Sequence, residues 1–294
     1  MARFGRRLPL LAAGIAMAYL AFSPLERSLA TSFRVDSTID AVDANPGDGV
    51  CATAAGQCTL RAAIQETNAL PGPDTIELPA GTYTVTAAAD NEPDGNGDLN
   101  IRDQFEIRGA GTDQTFIDGG RFARLGSRTF EVRAATAVIS NLTIMNGGLN
   151  LILGGAILNN GGTLTLNDVV IKHDVAYSGA GIANLGLSTL TVNGGAFIEN
   201  GGPGSQSSDG AISNEGTMTL DRVTFRGNSS GLGAGAIGNY NTATLHNVTI
   251  ADNATDGAGG GIYNGFEMTL TNSAITGNHG GSGIYNDVTG TLRS

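Results

Sequence analysis

The residues best suited to chemistry are two carboxylates, Glu199 and Asp252, and one guanidinium, Arg226. They occupy turn positions of a repeated sequence pattern, and Arg226 lies in the repeat between the two acids. If each repeat forms one coil of a stack, the carboxylates are two coils, or about 9–10 Å, apart. That separation is near the wide end for an inverting pair of catalytic carboxylates, with Arg226 as a base or a charge clamp.

The same side chains also fit ordinary solvated turns. Other repeats hold His173, Gly227 and Gly277 at the equivalent position, so the pattern does not require an acid there. Catalytic pairs are distinguished by lying in a cleft that perturbs their pKa values. The sequence predicts no cleft, because the loops between repeats are short and the longest is Gly201–Asp209. We therefore expect no catalytic site and keep a polysaccharide lyase or hydrolase as the alternative.

These positions are set by a phrase of the type Gly-Ala-Ile-x-Asn, which returns along the second half of the chain. Its isoleucines are 25, 30, 25, 25 and 22 residues apart. Fixed-period similarity of this length is typical of stacked-repeat proteins. The isoleucines are Ile157, Ile182, Ile212, Ile237, Ile262 and Ile284.

Between the phrases lies a second pattern, Leu-x-x-Val-x-Ile/Phe-x-x-Asn, whose alternating apolar residues predict strands with one buried face. We predict three strand segments per repeat: the phrase itself, and segments such as Leu164–Leu166 and Val169–Ile171. A leucine-rich repeat would need a helix after the Asn, but Ser229–Gly235 is too rich in glycine to propagate one. The prediction is an all-β fold, a single-stranded right-handed parallel β-helix over residues 71–294.

Asparagine ends each phrase, and another asparagine ends each copy of the second pattern. In stacked coils these amides would lie in register and hydrogen-bond to one another, as in other in-register parallel stacks. We expect a structural role for them, because asparagine forms turns without any ligand. The first column is Asn159, Asn184, Asn214, Asn239, Asn264 and Asn286, and the second is Asn200, Asn228, Asn253 and Asn278.

Residues 1–30 have the features of an export signal. Three arginines precede the apolar run Leu8–Phe22, and Ser28–Ala30 offers a small-x-small cleavage site. The run is shorter than the roughly 20 residues of a membrane span. We expect a mature chain that starts near Thr31, has no membrane span and is exported to the surface or exterior of a bacterium, by either the general or the twin-arginine route.

The composition excludes several partners. The full chain carries a formal net charge of −11, and removing residues 1–30 leaves 12 basic against 26 acidic side chains. Such a chain repels nucleic acid and anionic membranes. Tryptophan is absent, so a sugar-stacking cleft is not expected, although Tyr263 and Tyr285 stand on successive coils. They could form a small platform for a glycan, but we favour a role in stabilising the parallel sheet. The candidate partner is a glycan or a cell-surface protein.

Residues 31–70 are expected to cap the solenoid. Cys51 and Cys58 are its only cysteines, and an exported chain favours a disulfide between them over free thiols. A zinc site is disfavoured because no histidine lies nearby. Thr59–Ala69 has the apolar periodicity of a short helix, with Thr59 as a plausible N-cap.

Residues Cys58–Ile64 resemble the CSLREA motif that opens many secreted bacterial β-helix proteins, although Ala62 replaces its Glu and removes one bond of the capping box. Asp74–Tyr83 is similar to the first coil of those proteins, and the later repeats are similar to those of polymorphic outer-membrane proteins. The resemblance implies a pectate-lyase-like β-helix at the cell surface or secreted, adhesin-like or structural, with no single activity. Pectate lyases and polygalacturonases share that fold, so the resemblance also implies that carboxylates such as Glu199 and Asp252 are candidates for catalysis.

Asp94, Asn96 and Asp98 have the alternating oxygen spacing of a calcium-binding loop. Leu99 stands where an EF-hand needs glycine, and Phe105 where it needs glutamate. We expect a solvated loop and no cofactor, with calcium as the alternative.

The final residues, 289–294, align with Glu267–Thr271 of the preceding coil, so the sequence stops in mid-coil. Solenoids usually hide their last open edge under a cap. We expect either a truncated chain or an edge that pairs with further coils or with a partner.

Overall fold

The computed structural model describes residues 30–86, 97–120, 128–148, 153–201 and 208–294. They form an all-β, right-handed-type parallel solenoid of about seven turns with one short helix, which confirms the predicted fold class. Residues 1–29 of the predicted export signal lie outside the described residues. So do two of the calcium candidates, Asp94 and Asn96.

Each coil contributes to two parallel sheets. The fifteen strands of the first sheet are β1 Ser32–Arg34, β2 Asp74–Leu78, β3 Gly81–Thr84, β5 Phe105–Gly109, β6 Thr115–Asp118, β8 Thr136–Met145, β10 Thr163–Lys172, β12 Thr189–Ile198, β14 Thr217–Asp221, β15 Thr224–Arg226, β18 Thr242–His246, β19 Thr249–Ala251, β22 Glu267–Thr271, β23 Ala274–Thr276 and β25 Thr291–Arg293. The eight strands of the second sheet are β4 Leu99–Ile101, β7 Phe130–Arg133, β9 Ile157–Asn160, β11 Ile182–Asn184, β13 Ile212–Asn214, β17 Ile237–Asn239, β21 Gly259–Asn264 and β24 Ser282–Asn286. A third, two-stranded sheet is formed by β16 Ser229–Ser230 and β20 Ala254–Thr255.

The isoleucine column stacks in the interior as predicted. Ile182 pairs with Ile157 on one side and Ile212 on the other, and all three side chains are completely buried. Full burial of such a side chain stabilises a fold by about 1.5–3 kcal/mol. Phe197 and Phe225, on neighbouring coils, stack in the same way beneath the first sheet, with their ring centroids 4.8 Å apart. The repeated apolar positions therefore build one continuous core along the solenoid.

The predicted division of each coil into three segments needs one correction. Segments Leu164–Leu166 and Val169–Ile171 belong to a single strand, β10, and β8 and β12 are likewise continuous. Pairing between β10 and β12 continues on both sides of Asp168, which has a positive φ of 50° and bends the strand without ending it. In later coils the same bend separates β14 from β15. A single left-handed residue can thus be absorbed by the sheet.

Both asparagine columns form hydrogen-bonded ladders. In the first, each amide nitrogen donates to the amide oxygen of the next coil at 2.7–2.8 Å, from Asn159 through to Asn286. The second ladder runs from Asn200 to Asn278 with distances of 2.8–3.0 Å. The first ladder starts at Asn159 because Val132 occupies the position below it. The Oδ1 atom of Asn159 accordingly has no hydrogen-bond partner among the described residues.

The helix α1, Leu60–Ala69, packs on β2 and β4 at the N-terminal end of the solenoid. Thr59 is its N-cap and accepts a hydrogen bond from the Ala62 N–H at 3.1 Å, so the predicted helix is confirmed with Thr59 just outside it. Cys51 and Cys58 are joined by a disulfide, with Cα atoms 5.1 Å apart. In the part of the chain that the structure describes, no helix is long and apolar enough to cross a membrane.

Candidate binding surface on the second sheet

The five positions of the candidate catalytic column share one backbone conformation. Residues at this place all have a positive φ, including 53° for Glu199 and 55° for Asp252. Each opens a two-residue turn, such as Glu199–Asn200, that links the first sheet to the following segment. The column is therefore a series of tight left-handed turns, and glycine or a polar residue suits such a conformation.

The two acidic side chains of this column are exposed to solvent, and each lies beside a basic side chain. Glu199 lies 3.1 Å from the Nε2 atom of His173, and Asp252 lies 3.4 Å from the Nε atom of Arg226. The side chains of Glu199, Asp252 and Arg226 are 65 %, 56 % and 70 % exposed. The Glu199 side chain leans over Gly227 of the next coil, where a Cβ atom would lie 3.2 Å from its Cγ. The alternation of acid and glycine thus has a packing explanation.

The calcium candidate Asp98 is held by protein groups. Its carboxylate accepts hydrogen bonds from Arg128 at 3.3 Å and from the Asn100 amide at 3.2 Å, and the residue is buried. A guanidinium beside this carboxylate opposes binding of a second cation. Within the described ranges, no group of three or more acidic, histidine or cysteine side chains could hold a metal ion.

A more distinctive feature lies on the outer face of the second sheet. Side chains alternate across a strand, so residues between the inward Ile and Asn point outward. This outer column ends in Ser213, Gly238, Tyr263 and Tyr285 on successive coils. The rings of Tyr263 and Tyr285 stack 5.4 Å apart, as their spacing in the sequence predicted.

A third tyrosine extends this stack. The Tyr240 ring lies 5.6 Å from that of Tyr263, and we call Tyr240, Tyr263 and Tyr285 the tyrosine strip. Tyr240 and Tyr285 are 41 % and 39 % exposed. Each of the first two hydroxyls is anchored: Tyr240 donates to Asp209 at 3.0 Å, and Tyr263 donates to Asp287 at 2.9 Å. The strip is thus a partly exposed aromatic surface, two of whose three hydroxyls are held by carboxylates.

Asp209, which holds the inner end of the strip, is completely buried. It accepts hydrogen bonds from the Ser178 hydroxyl at 3.2 Å, from Tyr240, and from the Ala234 N–H. Burial raises the pKa of the Asp209 carboxyl, and hydrogen bonds, led by that from Tyr240, oppose this rise. Burial also raises the pKa of the Tyr240 hydroxyl, and the neighbouring carboxylate adds to it.

The position of Asp209 depends on a glycine in the outer column. A Cβ atom at Gly238 would lie 2.1 Å from the Oδ1 atom of Asp209, so any side chain there would displace the carboxylate. Tyr263 and Tyr285 are recognisable from the sequence repeat, whereas Tyr240 and Asp209 are not. The one available signal was Gly238 itself, which breaks the outer column where the neighbouring coils carry side chains.

Comparison of the chain with protein-family models, with curated proteins and with solved structures gave no match. The resemblance to CSLREA-motif proteins is therefore carried by the sequence motifs alone.

Proposed function

We propose that this chain is an exported, non-catalytic β-helix that acts as a surface or secreted binding protein and uses its tyrosine strip to contact a glycan. The observation that carries the proposal is the strip itself, whose three partly exposed rings follow one another along the solenoid. Tyr263 and Tyr285 are stacked, and Tyr240 is tilted against Tyr263. Tyrosine combines a large apolar ring with a polar tip, which is why it is enriched at binding surfaces.

Export is supported by the leader-like residues 1–30, by the CSLREA-like motif and by the Cys51–Cys58 disulfide. Disulfides form and persist in oxidising compartments outside the bacterial cytoplasm. The absence of a catalytic role is supported by the acids of the turn column, since Glu199 and Asp252 are more than half exposed and each faces a basic side chain.

The net negative charge of the chain limits the class of glycan that it can bind. A mature chain starting at Thr31 has 26 acidic and 12 basic side chains, and Asp287 lies directly at the strip. A negative surface repels polyanions such as polyuronates. We therefore propose a neutral glycan as the ligand, with its apolar sugar surface against the rings and its hydroxyls near Asp287.

The experiment measures retention of the folded mature chain on immobilised neutral glycans and polyuronates. We expect retention on a neutral glycan, weakened at least tenfold by Tyr263→Ala or Tyr285→Ala, since about 1.4 kcal/mol of binding energy corresponds to tenfold. Tyr177→Ala is the matched control, because Tyr177 is equally exposed but lies outside the strip. Retention that survives both strip variants, or that requires a polyuronate, would contradict the proposed surface.

A further inference from the structure

Asp74, the first residue of β2, has a buried carboxylate, and only one of its two oxygens has a hydrogen-bond partner among the described residues. The residue is 2 % exposed, and its Oδ1 atom accepts a hydrogen bond from the Thr31 N–H at 2.8 Å. Its Oδ2 atom is buried and has no hydrogen-bond partner within the residues that the structure describes. A buried acceptor without a partner destabilises a fold by about 1–3 kcal/mol, and more for a charged group. Among the described residues, the Oδ2 atom of Asp74 therefore lacks a donor.

The charge of Asp103 disfavours the ionised form of the Asp74 carboxyl. Burial raises the pKa of the Asp74 carboxyl, the Thr31 N–H opposes this, and the nearby charge of Asp103 adds to the rise. On the packed strand β5, Arg108 is engaged by Glu106 at 2.7 Å and by Glu77 of β2 at 3.6 Å. The positive charge of Arg108 on this strand is thus already shared by two glutamates.

Thr31 is held in place beside the Asp74 carboxylate. The Thr31 carbonyl accepts a hydrogen bond from the Thr75 N–H at 2.8 Å, and β1, which starts at the next residue, pairs with β2. This pairing holds the Thr31 backbone beside Asp74. Ala30, the residue before it, is exposed and ends the small-x-small sequence Ser28–Ala30.

We propose that the Ala30–Thr31 peptide bond is the processing site of this chain, and that the new α-ammonium of Thr31 forms a buried ion pair with Asp74. Hydrolysis consumes one water and leaves a carboxylate on Ala30 and an ammonium on Thr31. The amide offers one N–H and no charge, whereas the ammonium offers three N–H donors and one positive charge. It can therefore fill both oxygens of Asp74 and fasten β1 to the first coil. This inference rests on the proposed export of the chain.

The ion pair makes a pH-dependent contribution with a defined sign. An α-amino group has a pKa of about 7.7–8.0 in an unfolded chain, and a buried carboxylate partner raises it in the folded chain. The added stability is then fully present below the unfolded pKa and is lost as the pH rises through the folded pKa.

The first test locates the cleavage. The full chain, with its leader, is produced in an exporting bacterial host, and the material outside the cytoplasm is analysed by intact mass and N-terminal sequencing. We expect Thr31 as the first residue. An exported chain that starts elsewhere overturns the inference but leaves the proposed function standing. A chain that keeps its leader in the cytoplasm overturns both the processing site and the proposed export.

The second test measures the ion pair independently of export. Two chains are released from a cleavable fusion, one starting at Thr31 and one at Ala30, which moves the same amine by about 3.8 Å. We expect the Thr31 chain to have a roughly tenfold smaller unfolding equilibrium constant at pH 6.5, as for a pKa shift of about one unit. The difference should vanish at pH 10 and in the Asp74→Asn background. Equal stability of the two chains at pH 6.5 would overturn the ion pair.

A third test measures the rate at which the α-amine is labelled, which does not depend on the overall stability of the fold. Lys172 is the only lysine, so in a Lys172→Arg chain that starts at Thr31 the α-amine is the only amine. We expect an amine-reactive reagent to label it at least tenfold more slowly than the α-amine of the Ala30-first chain at pH 8. Asp74→Asn should restore the fast rate, and a rate that is unchanged by Asp74→Asn would overturn the pairing.

Discussion

Two columns of the second sheet lie side by side but follow opposite rules. The inward column repeats asparagine from Asn159 to Asn286, with each amide donating to the next. The neighbouring outward column changes from coil to coil, through Ser213 and Gly238 to Tyr263. A ladder needs the same residue on every coil, because each rung satisfies the one beside it. Outward positions have no such requirement, so specific features such as the tyrosine strip can develop there.

The largest effect is expected from breaking the ladder at its centre. Asn214→Ala removes the donor to Asn239, leaving a buried acceptor unpaired, and also removes the acceptor of Asn184. We expect a loss of about 2–4 kcal/mol in the free energy of unfolding, given about 1–3 kcal/mol for each unsatisfied buried group. Urea denaturation followed by circular dichroism measures it.

The matched control is the last rung, Asn286→Ala. Asn286 is exposed and its neighbour on one side is Asn264, so we expect a loss below about 1 kcal/mol. Equal losses at Asn214 and Asn286 would show that the ladder does not act through burial.

A smaller effect, with a defined pH dependence, is expected at the base of the tyrosine strip. Burial raises the pKa of Asp209 above its unfolded value of about 3.9, so the folded state binds the proton more tightly. Its contribution to stability therefore falls as the pH rises from the unfolded pKa through the folded pKa. Asp209→Asn should flatten this part of the profile of urea midpoint against pH.

Asp221 provides the opposite sign as a control. A hydrogen bond from His246 is the main cause that lowers the pKa of the Asp221 carboxyl. Its contribution is present above the unfolded pKa and is lost as the pH falls through the folded pKa. If Asp209→Asn and Asp221→Asn changed the profile in the same direction, the assignment of Asp209 as a buried carboxyl with a raised pKa would be wrong.

The smallest effect is expected in the turn column of the first sheet. Glu199→Gln and Asp252→Asn should each change the free energy of unfolding by less than about 0.5 kcal/mol, because both side chains are exposed. Glu199→Gly should be neutral or slightly stabilising, since the residue has a φ of 53°. A loss of 2 kcal/mol or more from any of these changes would show that the column has a role beyond forming turns.

The features that the sequence predicted correctly are those set by the repeat or by local helix capping. The Ile157 column, both asparagine ladders and the helix after Thr59 follow from periodicity and local capping chemistry, which depend on neighbouring residues or on identical coils. The sequence did not predict that the strand would continue through Asp168, because the sheet's pairing decides whether a left-handed residue ends a strand.

Contacts between unlike residues were beyond the sequence pattern. Tyr240 and Asp209 are 31 residues apart and meet only because Gly238 leaves room for the carboxylate. Thr31 and Asp74 meet across 43 residues, where the decisive atom is a backbone nitrogen that no motif marks. Such contacts depend on the exact register of non-equivalent segments.

The central claim, that the chain binds without catalysis, is tested most directly by a depolymerisation assay. The folded mature chain is incubated with polyuronates and neutral glycans, with and without calcium, while unsaturated products and new reducing ends are followed. We predict no cleavage of any glycan by a sample whose β-structure is verified by circular dichroism. Cleavage that disappears with Glu199→Gln or Asp252→Asn would contradict it and would assign the chain as a polysaccharide lyase or hydrolase.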